Sequence, residues 1–270
     1  MRSTPDPALA LVDRARYPID ALDRTDGCAL VASCRAQLAA GGACVLPGFL
    51  DASALASAVA EAVRLAPLAH RTPDNRSTCY LAPPDERVPV GHPRRRLQTT
   101  SVGAVAYDLI PPGSAIRTLY ESDELAAFIA AVLGVARLHR YADPLGALNI
   151  AVMTQGEHLL WHFDQTDFVV SILLQDCAAG GDFEYVPAIR SAEAPNYAAI
   201  ERLLDGARDG VVRLAMQPGT LSLFQGRWSI HRVTPIEGPV PRLIALLGYD
   251  TKPGTCSSDD LKRRRYGRVA

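Results

Sequence analysis

Apolar positions along the chain change rhythm near residue 138. Before it they recur at helical spacing; after it short β-branched or alternating runs take over. Leu30, Val31, Cys34 and Leu38 mark a helix over 27–40, ended by Gly41-Gly42, and 43–46 reads as a short strand closed by Pro47-Gly48. Asp51 suits the N-cap of an alanine-rich helix over 52–65, and Ser122 and Gly134 bracket another over 123–133. Strand candidates then follow at 138–141, 148–153, 160–162, 168–174, 182–186, 211–216, 221–224, 229–234 and 243–249. Gly180-Gly181, Pro218-Gly219 and Gly238-Pro239 turn the chain between them, and a helix over 196–204 interrupts the series. Strands at this spacing predict a mainly β fold with flanking helices (α+β), its core a double-stranded β-helix, or cupin-like jelly roll.

The organisation that follows is a lead-in over 1–26, rich in Pro, Asp and Arg and loosely attached, then a single domain over 27–270. Within it, 27–137 is a helical and lid part and 138–252 the jelly-roll core. Residues 67–120 carry many prolines and the cluster His92-Pro93-Arg94-Arg95-Arg96. They read as a lid or substrate-binding insertion, or as a solvated surface loop. The basic run Lys262-Arg263-Arg264-Arg265 reads most simply as a solvated end.

Composition changes this picture little. At 270 residues, 48% hydrophobic and 21% charged, the chain is long enough to bury a sizeable core. A formal net charge of -1 gives no general attraction to nucleic acid or an anionic membrane. No apolar run reaches the ~18 residues that a membrane span needs, and no basic-then-apolar leader is visible. A cytoplasmic protein acting on a small molecule is expected, with homodimerisation left open. Cys28, Cys34, Cys44, Cys79, Cys177 and Cys256 form no C-x-x-C pair and read as free, mostly buried thiols in a reducing compartment.

The chemistry concentrates in Leu159-Leu160-Trp161-His162-Phe163-Asp164-Gln165-Thr166-Asp167-Phe168. His162 and Asp164 are two apart, so an extended strand projects both from one face. An imidazole and a carboxylate so placed are two members of a 2-His-1-carboxylate triad, which leaves part of an iron's coordination sphere open. His231, 67 residues after Asp164 on a later strand candidate, supplies the third. For His162 or Asp164 alone, mutual satisfaction is the plainer reading. Arg242, eleven residues after His231, interrupts the apolar run Leu243-Ile244-Ala245-Leu246-Leu247 at its start. A buried guanidinium must be paired, with an acid on a neighbouring strand or with a planar carboxylate from a ligand such as 2-oxoglutarate.

The ordered set His-x-Asp, His and Arg resembles the Fe(II)/2-oxoglutarate-dependent dioxygenase superfamily. The segments 148–168, 180–187 and 231–235 narrow the likeness to the small free-standing amino-acid halogenases and hydroxylases, over about residues 80–253. The resemblance implies Fe(II) held by His162, Asp164 and His231, 2-oxoglutarate held at its C5 carboxylate by Arg242, and O2 as co-substrate. Asn149, on the preceding strand, is a candidate to hydrogen-bond 2-oxoglutarate, or is a buried structural amide. Halogenases of this group carry Gly in place of the metal carboxylate; Asp164 leaves chloride no position. Hydroxylation of an unactivated C–H in a free amino acid or small amino-acid-derived metabolite is therefore implied, with release of succinate and CO2. Lysine-specific members carry Asn and Thr where this chain has Leu246-Leu247-Gly248, which argues against lysine. For the substrate, Arg96 is the candidate for a carboxylate and Asp143 for an amine, with Trp161 and Gln165 beside the ligands; surface or core positions are the plainer alternative. Desaturation, cyclisation or demethylation with the same cofactors, and a non-catalytic sensor of metal and 2-oxoglutarate, are the rival readings.

Overall fold

Leu148–Met153 is buried at all six positions, because each face of this strand is covered. Leu148, Ile150 and Val152 join the main apolar cluster under the helices, while Asn149, Ala151 and Met153 point the other way, into a barrel. The strand belongs to a seven-stranded antiparallel sheet in the order Ala43–Leu46, Leu221–Phe224, Val169–Gln175, Arg242–Leu247, Leu148–Met153, Gly103–Val105, His70–Arg71. A four-stranded sheet faces it: Val212–Arg213, Phe183–Val186, Ile230–Val233, Leu159–His162. The two form the expected double-stranded β-helix. This computed structural model describes residues 6–72 and 75–270.

The helices Thr25–Gly41, Ala52–Leu65, Ala115–Tyr120 and Asp123–Leu133 cover the outer face of the large sheet through Cys34, Leu38, Ala58, Ala62, Leu119, Leu125 and Phe128. Their ends follow the capping signals in the chain. Asp51 and Ser122 accept the N–H of Ala54 (2.8 Å) and Leu125 (3.1 Å), and Gly42 and Gly134 take left-handed conformations past the C-termini.

Three expectations are corrected. The lead-in is packed against the core over its described part, 6–26; the remainder, 1–5, lies outside the described residues. Ala8, Val12, Tyr17 and Ile19 are buried, and the Tyr17 hydroxyl donates to Pro47 O at 2.7 Å. The polar composition of this stretch concealed enough apolar surface to hold it down. The division at 137/138 is not a structural boundary, because Ala43–Leu46, His70–Arg71 and Gly103–Val105 pair into the same sheet as the later strands. The basic tail is no solvated end: Asp259–Tyr266 is a helix capped by Ser258, with Lys262 and Tyr266 buried. Of the cysteines, Cys34, Cys44 and Cys79 are buried, Cys177 half-buried, and Cys28 and Cys256 exposed. Among the described residues no helix is long and apolar enough to cross a membrane.

Candidate metal centre

His162 ends the edge strand of the small sheet and pairs directly with His231 on the neighbouring strand. Directly opposed residues share a face, so both imidazoles point into the barrel, ring centroids 4.2 Å apart. Asp164 follows two residues later, its N–H donated to Gly226 O at 3.0 Å. The ligand atoms of His162, Asp164 and His231 all lie within 4.8 Å of one another, and His231 Nε2 is 3.5 Å from Asp164 Oδ2. Two neighbouring ligands with bonds of about 2.1 Å stand about 3 Å apart, so small side-chain adjustments would bring this trio onto one ion.

The hydrogen bonds around the trio orient it for that purpose. His162 Nδ1 donates to Leu160 O at 2.8 Å and His231 Nδ1 to Ser229 O at 3.1 Å. A carbonyl only accepts, so both Nδ1 atoms carry the proton and both Nε2 atoms keep a lone pair for a metal. Burial, reinforced by the neighbouring His231, holds the His162 pKa down to about 4, and the ring stays neutral. Asp164 Oδ2 is buried without a hydrogen-bond partner among the described residues. A carboxylate oxygen left in that state is costly, and a cation removes the cost. The donor set, two neutral imidazoles and one carboxylate, fits a non-heme iron.

The rest of the barrel interior is laid out by register. Arg242, Ile244 and Leu246 pair with Met153, Ala151 and Asn149, and Leu246 also with Ser171. Asn149 and Leu246 thus stand at the end of the barrel where Asp164 enters, and Arg242 at the far end. Arg242 is only 3% exposed, yet among the described residues its guanidinium makes no ion pair or hydrogen bond. Burial lowers its pKa, with Asp176 and Cys177 opposing from a distance. Gly181, at φ +65°, keeps the space beside its stem, since a Cβ there would lie 3.3 Å from Arg242 Cδ. Asn149 Oδ1 is likewise buried and unpartnered among the described residues. A cation and an amide oxygen at opposite ends of one largely apolar interior, both without a partner among the described residues, outline a ligand with an anionic end.

The substrate candidates fare differently. Arg96 is engaged at the Tyr197–Leu204 helix, with Asp205 and with Leu204 O at 2.9 Å. Asp143 is 1% exposed and saturated: it accepts from Leu145 N (2.9 Å), Gly146 N (3.0 Å) and Ser257 N (2.9 Å), which makes it a turn anchor. Trp161 faces away from the barrel into a cluster with Cys79, Phe163, Ile200 and Ile230, as strand alternation next to His162 requires. Gln165 is exposed on the loop after Asp164. His158, outside the trio, faces Gly156 O and Thr99 O.

Several residues of the site carried no mark in the chain. Phe183 stacks on His231 and Phe224 meets it edge-on, at 5.4 and 4.8 Å between centroids. Gly226 leaves the room that Asp164 fills; its trace in the sequence is a glycine five residues before His231. Tyr141 lies against Gly248, where a Cβ would meet its ring at 3.1 Å, and its phenol pKa is raised by burial, then by Asp250 and Asp164. The Tyr141 phenol therefore stands within electrostatic reach of Asp164.

A two-sheet barrel with a His-x-Asp and His cluster on its small sheet defines the class: the fold is that of the Fe(II)/2-oxoglutarate-dependent oxygenases. A family model described as Halogenase D matches residues 29–262, and the chain belongs to that family. No curated protein matches it. Among solved structures, the non-heme alpha ketoglutarate dependent epimerase SnoN from nogalamycin biosynthesis superposes with a TM-score of 0.56 at 18% identity, covering 83% of each chain. AviO1 from Streptomyces viridochromogenes Tue57 gives 0.55 at 20%, covering 81% of this chain and 93% of that one. A 2OG-Fe(II) oxygenase family oxidoreductase from Burkholderia pseudomallei gives 0.52 at 19%, covering 83% and 92%. At these identities the likeness is one of fold.

Proposed function

We propose that the protein is an Fe(II)- and 2-oxoglutarate-dependent dioxygenase that hydroxylates a small, amino-acid-like metabolite. The observation that carries this is the buried Asp164 Oδ2, unpartnered among the described residues, facing two imidazoles whose Nδ1 atoms are already protonated and bonded. His162, Asp164 and His231 would hold the iron, Arg242 the distal carboxylate of 2-oxoglutarate, and Asn149 a polar group near the metal. SnoN has been crystallised with Fe3+ and alpha ketoglutarate, which supports the same pair of cofactors here. Bound there, Fe(II) with 2-oxoglutarate and O2 supplies the oxidation of an unactivated C–H bond, with succinate and CO2 released.

The chain's own residues position and shield. The i−2 carbonyls of Leu160 and Ser229 fix each imidazole's tautomer and plane. Phe183 and Phe224 wall His231 and keep water from that side. Arg242 would hold the distal carboxylate of the co-substrate, for which a guanidinium is suited by its two parallel N–H donors. Asp164 fills the position that a halide would take, which favours hydroxylation over halogenation within a family described by halogenase D. Epimerisation or ring closure on a larger natural product is the second reading, favoured by the likeness to the SnoN epimerase.

The test begins anaerobically: protein loaded with Fe(II) and 2-oxoglutarate should show a weak visible charge-transfer band. Air is then admitted with a panel of free amino acids, with and without chloride, while succinate and product mass are followed. A gain of one oxygen, indifferent to chloride, supports hydroxylation. A chlorinated product, or folded and iron-loaded protein without a band, overturns the reading.

A further inference from the structure

Asp164 stands beyond the end of its strand, which closes at His162, so the sheet ladder does not reach its backbone. Loop contacts hold it instead. The Asp164 N–H is taken by Gly226 O at 3.0 Å, and the preceding Phe163 N–H by Cys79 O at 2.8 Å. The Arg227 side chain crosses back onto Gln165 O and the Asp167 carboxylate. The carboxylate is thus bracketed between the loop that carries it and the loop through Gly226 and Arg227.

One further side chain touches both loops. The Arg190 guanidinium carbon sits over the Phe163 ring, 3.8 Å from its centroid, with the rings of Tyr80 and Trp228 at 5.1 and 5.7 Å. Its Nε and Nη2 both donate to Arg227 O, at 2.9 and 2.7 Å. Phe163 is the residue between His162 and Asp164, and Arg227 is the residue after Gly226. The Arg190 segment is laid along residues 228–229: its N–H donates to Trp228 O at 3.4 Å, and the Ala188 N–H to Ser229 Oγ at 3.1 Å. Ala188 is left-handed, at φ +44°, a conformation that a non-glycine residue keeps only where its surroundings impose it. Arg190 is half-buried, yet among the described residues it has no acidic partner; rings and one carbonyl hold it.

From these contacts we propose that Arg190 is a positioning residue for the metal carboxylate: it clamps Phe163 to Arg227 O and so fixes the Asp164 side chain against Gly226. The proposal deepens the reading of His162, Asp164 and His231 as metal ligands and rests on it. An arginine suits the task because its plane stacks on an aromatic face while its in-plane N–H groups stay free to donate. A lysine carries the charge without the plane or the fork. A metal ligand must be held within about 0.5 Å and 10–20° of its place, and a carboxylate on a loop meets that demand only through ties to its neighbours. Groups that orient a metal ligand from behind commonly carry about 10–100-fold of metal affinity.

The experiment is a titration of the metal-free protein with Co(II), followed by calorimetry and by the visible spectrum of the bound ion, with circular dichroism and thermal melts on the same samples. Arg190→Gln should lower Co(II) affinity about tenfold or more and alter the visible band as the carboxylate loses its fixed place. Arg190→Lys should show most of the same loss. In an Asp164→Ala background Arg190→Gln should bring no further loss, because its effect passes through the carboxylate. A role in folding alone would lower the melting temperature and leave the folded protein's affinity and spectrum unchanged, and that result overturns the proposal. Full recovery in Arg190→Lys, or an equal loss with and without Asp164, overturns it as well. Folded wild-type protein that binds no Co(II) is a different result, for it removes the metal centre and this proposal with it.

Discussion

Gly226 and Asp164 compete for one volume: a Cβ on Gly226 would fall inside the Asp164 carboxylate, and Gly226 O holds the Asp164 N–H at 3.0 Å. The glycine is required for space, since its backbone is not left-handed. Gly226→Ala should therefore leave the fold intact but push the carboxylate off the metal. Affinity for Fe(II), or for Co(II) as a probe, is expected to fall about 10–100-fold. Isothermal titration with circular dichroism on the same samples checks this, and an unchanged affinity would separate Asp164 from the metal.

Arg242 trades stability for binding. A buried guanidinium without a partner penalises the cofactor-free protein, and an apolar side chain of similar length removes that penalty. Arg242→Met should raise cofactor-free stability by about 1–4 kcal/mol and abolish the rise in melting temperature that 2-oxoglutarate gives the wild type. Thermal melts with and without 2-oxoglutarate measure both effects. A mutant that is still stabilised by 2-oxoglutarate would exclude the role given to Arg242.

Acid should weaken the tie between Glu157 and Arg71. This carboxylate is buried, which alone would raise its pKa, but hydrogen bonds from Arg71 and Thr154 outweigh burial and hold it below its ordinary value. The unfolded chain then binds the proton first as pH falls. The contribution is fully present above the ordinary glutamate value of about 4.3 and is lost as pH drops through the folded-state value. Glu157→Gln should flatten the acid limb of a stability–pH curve and cost about 1–3 kcal/mol at neutral pH. Urea unfolding between pH 3 and 7 tests both parts.

Asp143 should behave as a structural residue. Asp143→Ala strands the N–H groups of Leu145, Gly146 and Ser257, and a loss of about 2–4 kcal/mol is expected, with 2-oxoglutarate affinity unchanged. A mutant of normal stability that fails only in turnover would return Asp143 to the substrate.

The elements that were legible share a local cause. Asp51, Ser122, Gly42 and Gly134 cap helices through their own side chains or conformations, so those boundaries stand in the sequence itself. Strand 211–216 shrank to Val212–Arg213, which is paired on one side only at the edge of the small sheet, and 138–141 to His139–Arg140, whose partner Tyr249–Asp250 is itself two residues long. Ala115–Tyr120 went unread in a proline-rich stretch, although Ser114 caps it.

The chain by itself pointed to the cluster of His162, Asp164 and His231, which the fold does bring together, because a two-residue spacing suits one face and His231 and Arg242 follow at telling intervals. Tertiary structure alone decided what each further polar group does. Arg96 and Asp143 are equally plain charges in sequence, but only packing pairs the first with Asp205 and saturates the second with backbone N–H groups. Pairing between residues a hundred positions apart is a matter of which surfaces the two sheets and the C-terminal helix bring together, and no local pattern encodes it.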